Sequence, residues 1–153
     1  MRKQFKVFIG SDHAGFKLKE IIKKYLDKCG YNVEDLGNYS LDPNDDYPDF
    51  AKKVALAVAK GKGLGIIICD SGVGVCIVAN KIKGVRAVNA YNLKIAKASR
   101  EHNHTNVLCL GQKYLTVNLA KRIVRTWLNS SFDLAPRHCR RVDKIKKIEQ
   151  ENL

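Results

Sequence analysis

The feature that most limits what this chain can fold into is its alternation of short, continuous apolar runs with amphipathic stretches of helical period. Gly65-Ile66-Ile67-Ile68-Cys69 has no polar position between its ends. That pattern belongs to a strand covered on both faces, as in parallel sheets. The same reading predicts strands over Phe5–Ile9, Asn32–Leu36, Gly84–Asn89 and Asn106–Leu110. Helices are predicted over Phe16–Cys29, stopped by Gly30, and over Pro48–Lys60, where Phe50, Val54 and Val58 share a face before Gly61. Further helices are predicted over Leu93–His102, Val117–Leu128 and Arg141–Gln150. Repeated strand–helix units of this kind build an α/β protein on a parallel sheet. With no internal repeat, low-complexity tract or long linker, residues 1–153 are expected to form one domain, with a C-terminal helical tail from about 137.

Bulk properties exclude several classes. No apolar run approaches the roughly 18–20 residues that cross a bilayer. The basic start, Met1-Arg2-Lys3-Gln4, leads straight into a strand-like segment and lacks the apolar core of a signal peptide. A cytoplasmic protein is the expectation. Five cysteines are scattered without a CxxC pair or zinc-finger spacing, which fits free thiols, most of them buried. The net charge of +13 is uneven: Glu34 to Asp49 carries six acidic residues and no Lys or Arg. Such a charge suits anionic partners, but a solvated, lysine-rich surface is the reading favoured here. The chain shows none of the usual nucleic-acid modules, so nucleic acid is not an expected partner.

In open parallel sheets, ligands sit beyond the carboxyl ends of the strands, and the polar residues that stand out in this chain concentrate there. Cys69-Asp70-Ser71-Gly72-Val73-Gly74 ends a buried strand and turns toward a helix beginning near Val73. Its glycines let consecutive N–H groups converge on an oxyanion or phosphate, with Cys69 on the rim as a thiolate. A tight turn beside an inert thiol reads equally well. Ser11-Asp12-His13 pairs a carboxylate with an imidazole for proton handling or phosphate contact; alone, it is better read as Asp12 capping the next helix with His13 half exposed. His102 and His104 at i, i+2 need not face one way, which argues against a metal pair; one of them could act as an acid or base, or the run could be an ordinary polar loop. Arg137 and Arg141, four residues apart, share a face if helical and would clamp a phosphate; a solvated basic tail is the alternative.

Taken together, these segments resemble the ribose-5-phosphate isomerase B family and the related galactose-6-phosphate isomerase subunits. The matching stretches are Gly10-Ser11-Asp12-His13-Ala14-Gly15, Asp46-Tyr47-Pro48, Ile68-Cys69-Asp70-Ser71-Gly72-Val73-Gly74, Ala79-Asn80-Lys81, Gly84-Val85-Arg86-Ala87, His102-Asn103-His104-Thr105-Asn106-Val107-Leu108 and Arg137-His138-Cys139-Arg140-Arg141. The resemblance implies a Rossmann-like three-layer αβα sandwich with a five-stranded parallel sheet. It implies interconversion of ribose 5-phosphate and ribulose 5-phosphate through an enediolate, in the non-oxidative pentose phosphate pathway, with no metal or other cofactor. It also implies a homodimer or homotetramer with active sites between subunits. Cys69 matches the family's base, and Asp70, Ser71, Gly72, Val73 and Gly74 match the loop that holds the enediolate oxygen. His102 matches the residue that opens the furanose ring, with Asp12 on the same face and Asn103 contacting substrate. His13, Arg137 and Arg141 match phosphate ligands, Lys113 stands where many members have arginine, and Tyr47 lines the pocket.

Two departures bear on chemistry. Asp70 takes a position that is usually glycine in the family, where a carboxylate would oppose the thiolate and the enediolate unless it points away. Lys113 replaces a forked donor with a point charge. The rival substrates are six-carbon sugar phosphates. The rival class is a non-catalytic protein whose nest holds a nucleotide phosphate while its basic surface contacts RNA.

Overall fold

A computed structural model describes residues 5–61 and 63–151; the basic segment 1–4, Lys62 and the last two residues of the tail lie outside the described residues. Five strands, β1 (Lys6–Ser11), β2 (Asn32–Asp35), β3 (Gly63–Cys69), β4 (Ala87–Asn89) and β5 (Val107–Gly111), pair wholly in parallel in the order β2-β1-β3-β5-β4. Helices α1 (Phe16–Lys28), α2 (Tyr47–Ala59), α3 (Val73–Ala79), α4 (Leu93–Asn103), α5 (Val117–Asn129) and α6 (Pro136–Glu151) complete the fold.

The strands' two-residue period sorts the core into two layers. Val7, Ile9, Ile66, Ile68, Leu108 and Leu110 face Leu18, Ile22 and Leu26 of α1, Ala96 of α4, and Ala120, Ile123, Val124 and Trp127 of α5. The intervening Phe8, Ile67, Cys69, Val107 and Cys109 face Ala51, Val54, Ala55 and Val58 of α2, and Val75 and Ala79 of α3. The continuous apolar run of β3 is thus explained: both of its faces are covered. This is the three-layer αβα architecture.

Several boundaries differ from the sequence expectation, three of them for a clear physical reason. β1 runs two residues further, to Ser11, because it keeps pairing with β3 until Ser11 meets Ile68. β4 shrinks to three residues, since Val85 N–H closes a turn onto the Ile82 carbonyl. α6 starts at Pro136 rather than Arg141: proline loses no helical hydrogen bond at a first position, and buried His138 and Val142 anchor the early turns. The thiols also differ, with Cys69 and Cys109 buried, Cys76 and Cys139 half-buried and Cys29 exposed.

Candidate active site

The site is built by strand register. Ser11 is level with Ile68, and Cys69 with Gly111. Asp12, Cys69 and Gln112 therefore follow one another across three neighbouring strand ends, which lie about 5 Å apart. After β3 the chain turns through Gly72, whose φ is +79°. A Cβ there would come within 2.5 Å of Asn89 Oδ1, so only glycine fits the turn. The turn brings the Gly72 N–H back onto the Cys69 Sγ, 3.1 Å away. Beside it lie the first-turn N–H groups of α3, which have no intrahelical partner; that of Val73 donates to Ser71 Oγ at 3.2 Å.

The nest is braced from the other side. The Ser71 carbonyl accepts from Tyr91 Oη at 2.8 Å and from Asn89 Nδ2 at 3.3 Å. Tyr47, at the start of α2, packs so closely on Gly74 that a Cβ there would lie 2.6 Å from its ring. Asp70 is exposed; its carbonyl accepts from the Lys113 backbone N–H at 3.0 Å, while its side chain has no hydrogen bond or ion pair among the described residues. The carboxylate is therefore directed at solvent.

Asp12 is 5% exposed and caps the turn after β1, accepting from the Gly15 N–H at 3.1 Å. Burial raises its pKa, against the Gly15 hydrogen bond and the neighbouring His13, which act to lower it. His13 Nδ1 lies 2.6 Å from Asp45 Oδ1, and its backbone N–H donates to the same oxygen at 2.9 Å. The hydrogen bond to Asp45 holds the His13 pKa above its ordinary value. Asp45 itself is lowered: its partial burial is outweighed by His13 and Asn38. The potential ligand atoms of Asp12, His13 and Asp45 lie within 4.8 Å of one another. The hydrogen bonds of Asp12 to Gly15 and of Asp45 to His13 and Asn38 already account for that clustering.

His102, Asn103, Arg137 and Arg141 are not brought to this edge. In a parallel sheet a crossover helix returns the chain to the amino ends of the strands, so α4 ends beside the start of β5. There Arg86 Nε donates to the carbonyls of Asn103 and His104, and the Arg86 backbone N–H donates to Asn106 Oδ1. α6 continues along the same edge, from Asp133 N–H on the Glu101 carbonyl to Glu149 Oε1, which accepts from the Gly84 N–H. Arg137 and Arg141 both stand on this helix, in solvent. The length of β5 alone separates the two edges by about 13 Å. His102 and His104 also part company: the His102 ring packs at a tilt against His138 with centroids 4.5 Å apart, and the His104 ring stacks on Phe132 at 4.6 Å.

Sequence reasoning missed Asp45, Asn89, Tyr91 and His138. Asp45 lay within the acidic run, which was read only as uneven charge. His138 lay inside a quoted motif without a role.

Fold and edge together define a class: an αβα protein with a thiol set in a glycine turn at the carboxyl end of a central strand. The chain belongs to the ribose/galactose isomerase family, whose profile it matches over residues 7–145. It is 48% identical over 149 residues to a probable ribose-5-phosphate isomerase B of Mycoplasma genitalium, covering 96% of this chain and 97% of that protein. It is 45% identical over 146 residues to the ribose-5-phosphate isomerase B of Escherichia coli, covering 95% of this chain and 97% of that one. The crystal structure of the Mycoplasma genitalium ribose-5-phosphate isomerase B with bound ribulose-5-phosphate superposes with a TM-score of 0.94 at 47% identity, covering 98% of this chain and 99% of that one.

Proposed function

We propose that this chain interconverts D-ribose 5-phosphate and D-ribulose 5-phosphate without a metal, at sites that each draw on two copies of the chain. One copy supplies Cys69, Asp12, His13, Tyr47, Lys113 and the turn Asp70–Gly74. The second supplies His102, Asn103, Arg137 and Arg141. The observation that carries this reading is the Gly72 N–H donating to Cys69 Sγ at the mouth of a backbone nest. Support for the second copy comes from the distance between the two groups of residues, and from the apolar rim of the nest, where Tyr47, Val73, Ile77 and Tyr91 are all at least 39% exposed.

In this mechanism His102 helps to open the furanose ring. The Cys69 thiolate removes the C2 proton of the open aldose, leaving an enediolate; the proton on the C2 oxygen passes to the C1 oxygen, and the same sulfur returns its proton at C1. The C–H bond is a weak acid, so the enediolate oxygen must be held as charge develops. Fixed N–H donors in the nest do this, each worth about 3 kcal/mol. His13⁺, Lys113 and the two arginines hold the phosphate. Among the described residues, no helix is long and apolar enough to cross a membrane, and we place the reaction in the cytoplasm.

The test mixes two variants, Cys69→Ala and His102→Ala, with EDTA present. Each alone should be nearly inactive. Co-refolded at equal amounts they should regain about a quarter of wild-type turnover, because half of the dimers then carry one intact site. A mixture as inactive as its components would place Cys69 and His102 in the same copy and overturn the two-copy site.

A further inference from the structure

His138 has no part in the mechanism above, yet it is built into the amino edge with unusual care for a histidine on a surface helix. It is 4% exposed, while its neighbour Arg137 stands in solvent. Its ring lies against His102, planes inclined by 32° and centroids 4.5 Å apart. Its Nε2 accepts from Arg137 Nε at 3.3 Å. Its Nδ1 lies 3.2 Å from Asp133 Oδ2, off the N–H axis, as a polar contact rather than a proper hydrogen bond. Asp133 is fixed in turn: its Oδ1 accepts from the Ala135 N–H, and its own N–H donates to the Glu101 carbonyl. An Nε2 that accepts leaves the ring proton on Nδ1, facing the carboxylate.

We infer that His138 is a positioning residue that sets His102 and the Arg137 guanidinium in one fixed relation, so that the group acting on the sugar ring and the group gripping the phosphate are presented together. This rests on the reading of His102 and Arg137 given under the proposed function. The physical ground is preorganisation. An exposed arginine and an exposed histidine at a helix end sample several rotamers and lose that freedom when they bind, unless something already holds them. A buried imidazole does so twice, with its face for His102 and with its Nε2 lone pair for Arg137. With the ring proton on Nδ1, on the side of the Asp133 carboxylate, that lone pair is available.

The two contacts can be separated. His138→Phe keeps a ring against His102 and removes the acceptor. His138→Gln keeps an acceptor near the place of Nε2 and removes the ring. With ribose 5-phosphate as substrate and inorganic phosphate as competitive inhibitor, His138→Phe should raise KM and the phosphate inhibition constant about five- to tenfold, with kcat within about twofold. His138→Gln should do the opposite, lowering kcat about five- to tenfold with KM near wild type. Should either variant fold poorly, half-exposed Asp133 offers a milder test: Asp133→Ala frees the tautomer and should raise KM about twofold at constant kcat. KM and kcat moving in parallel in both ring variants, or neither moving, would overturn the inference. Arg137→Ala is the control. If it leaves KM and phosphate inhibition unchanged, the phosphate role of Arg137 falls and this inference with it. If it raises both while His138→Phe and Asp133→Ala do not, this inference alone falls.

Discussion

At the carboxyl edge of the sheet Cys69 and Asp12 are each 5% exposed, tied to backbone N–H groups at 3.1 Å and backed by the ends of β1, β3 and β5. At the amino edge His102, Asn103, Arg137 and Arg141 all stand in solvent on the ends of α4 and α6. The first group is held by elements no side chain can move without disturbing the core. In the second, His102 and Arg137 are held by side-chain contacts with His138. The difference matches the demands of the two tasks proposed for them. Stabilising a nascent oxyanion needs donors fixed to a fraction of an ångström. Gripping a phosphate tolerates adjustment, because charge acts over a longer range and guanidinium groups offer several donors.

If that contrast holds, damage to the carboxyl edge should fall on kcat and damage around the phosphate on KM. The largest effect is expected for Cys69→Ala, which should cut kcat about 10³–10⁴-fold with KM little changed, as loss of a general base does. Retained turnover in a folded Cys69→Ala protein would remove the thiol from its role. Next comes Gly72→Ala, which must place a Cβ 2.5 Å from Asn89 Oδ1 at a φ of +79°. It should lower kcat about 10²-fold and cost about 1–3 kcal/mol of stability in chemical denaturation. Wild-type kcat in that variant would mean that the nest geometry is not what holds the enediolate.

A smaller effect is expected at the phosphate end of the carboxyl edge. Asp45 raises the His13 pKa, so the imidazolium persists above its ordinary pH limit, and phosphate binding should weaken only as pH rises through the raised value. In Asp45→Asn that support is gone. The rise of KM should begin at lower pH, with KM about five- to tenfold above wild type in the window between the two. Superimposable profiles of log KM against pH would show that His13 does not bind phosphate as a cation. The smallest effect is expected for Lys113→Arg, which should lower KM by about twofold by supplying a forked donor. An unchanged KM would show that Lys113 does not reach the phosphate.

Much of the fold was readable before any coordinates. The Gly65–Cys69 run identified a doubly covered central strand, and the segment from Cys69 to Gly74 identified a strand-to-helix turn, because both signals are local. Boundaries set by partners were less legible. β1 extends to Ser11 only because β3 is there to pair with it, and α6 starts at Pro136 because His138 and Val142 find a place to be buried. Asp70 shows the same limit. Its presence beside Cys69 argued against a thiolate, and only its exposure shows that the carboxylate is turned away.

The sequence by itself determined the class of fold, the order of strands and helices along the chain, and the small set of residues able to carry chemistry. The first two rest on periodicity and turn chemistry within a few residues, and the third in part on the family resemblance, which alone marked Tyr47, Asn103 and Lys113. The tertiary structure decided how that set is divided. His13 meets Asp45 across 32 residues of chain, and Cys69 and His102 are carried to opposite edges of one sheet. Local pattern cannot encode such outcomes, because they follow from strand register and from the direction in which each crossover returns, and those exist only once the sheet has formed.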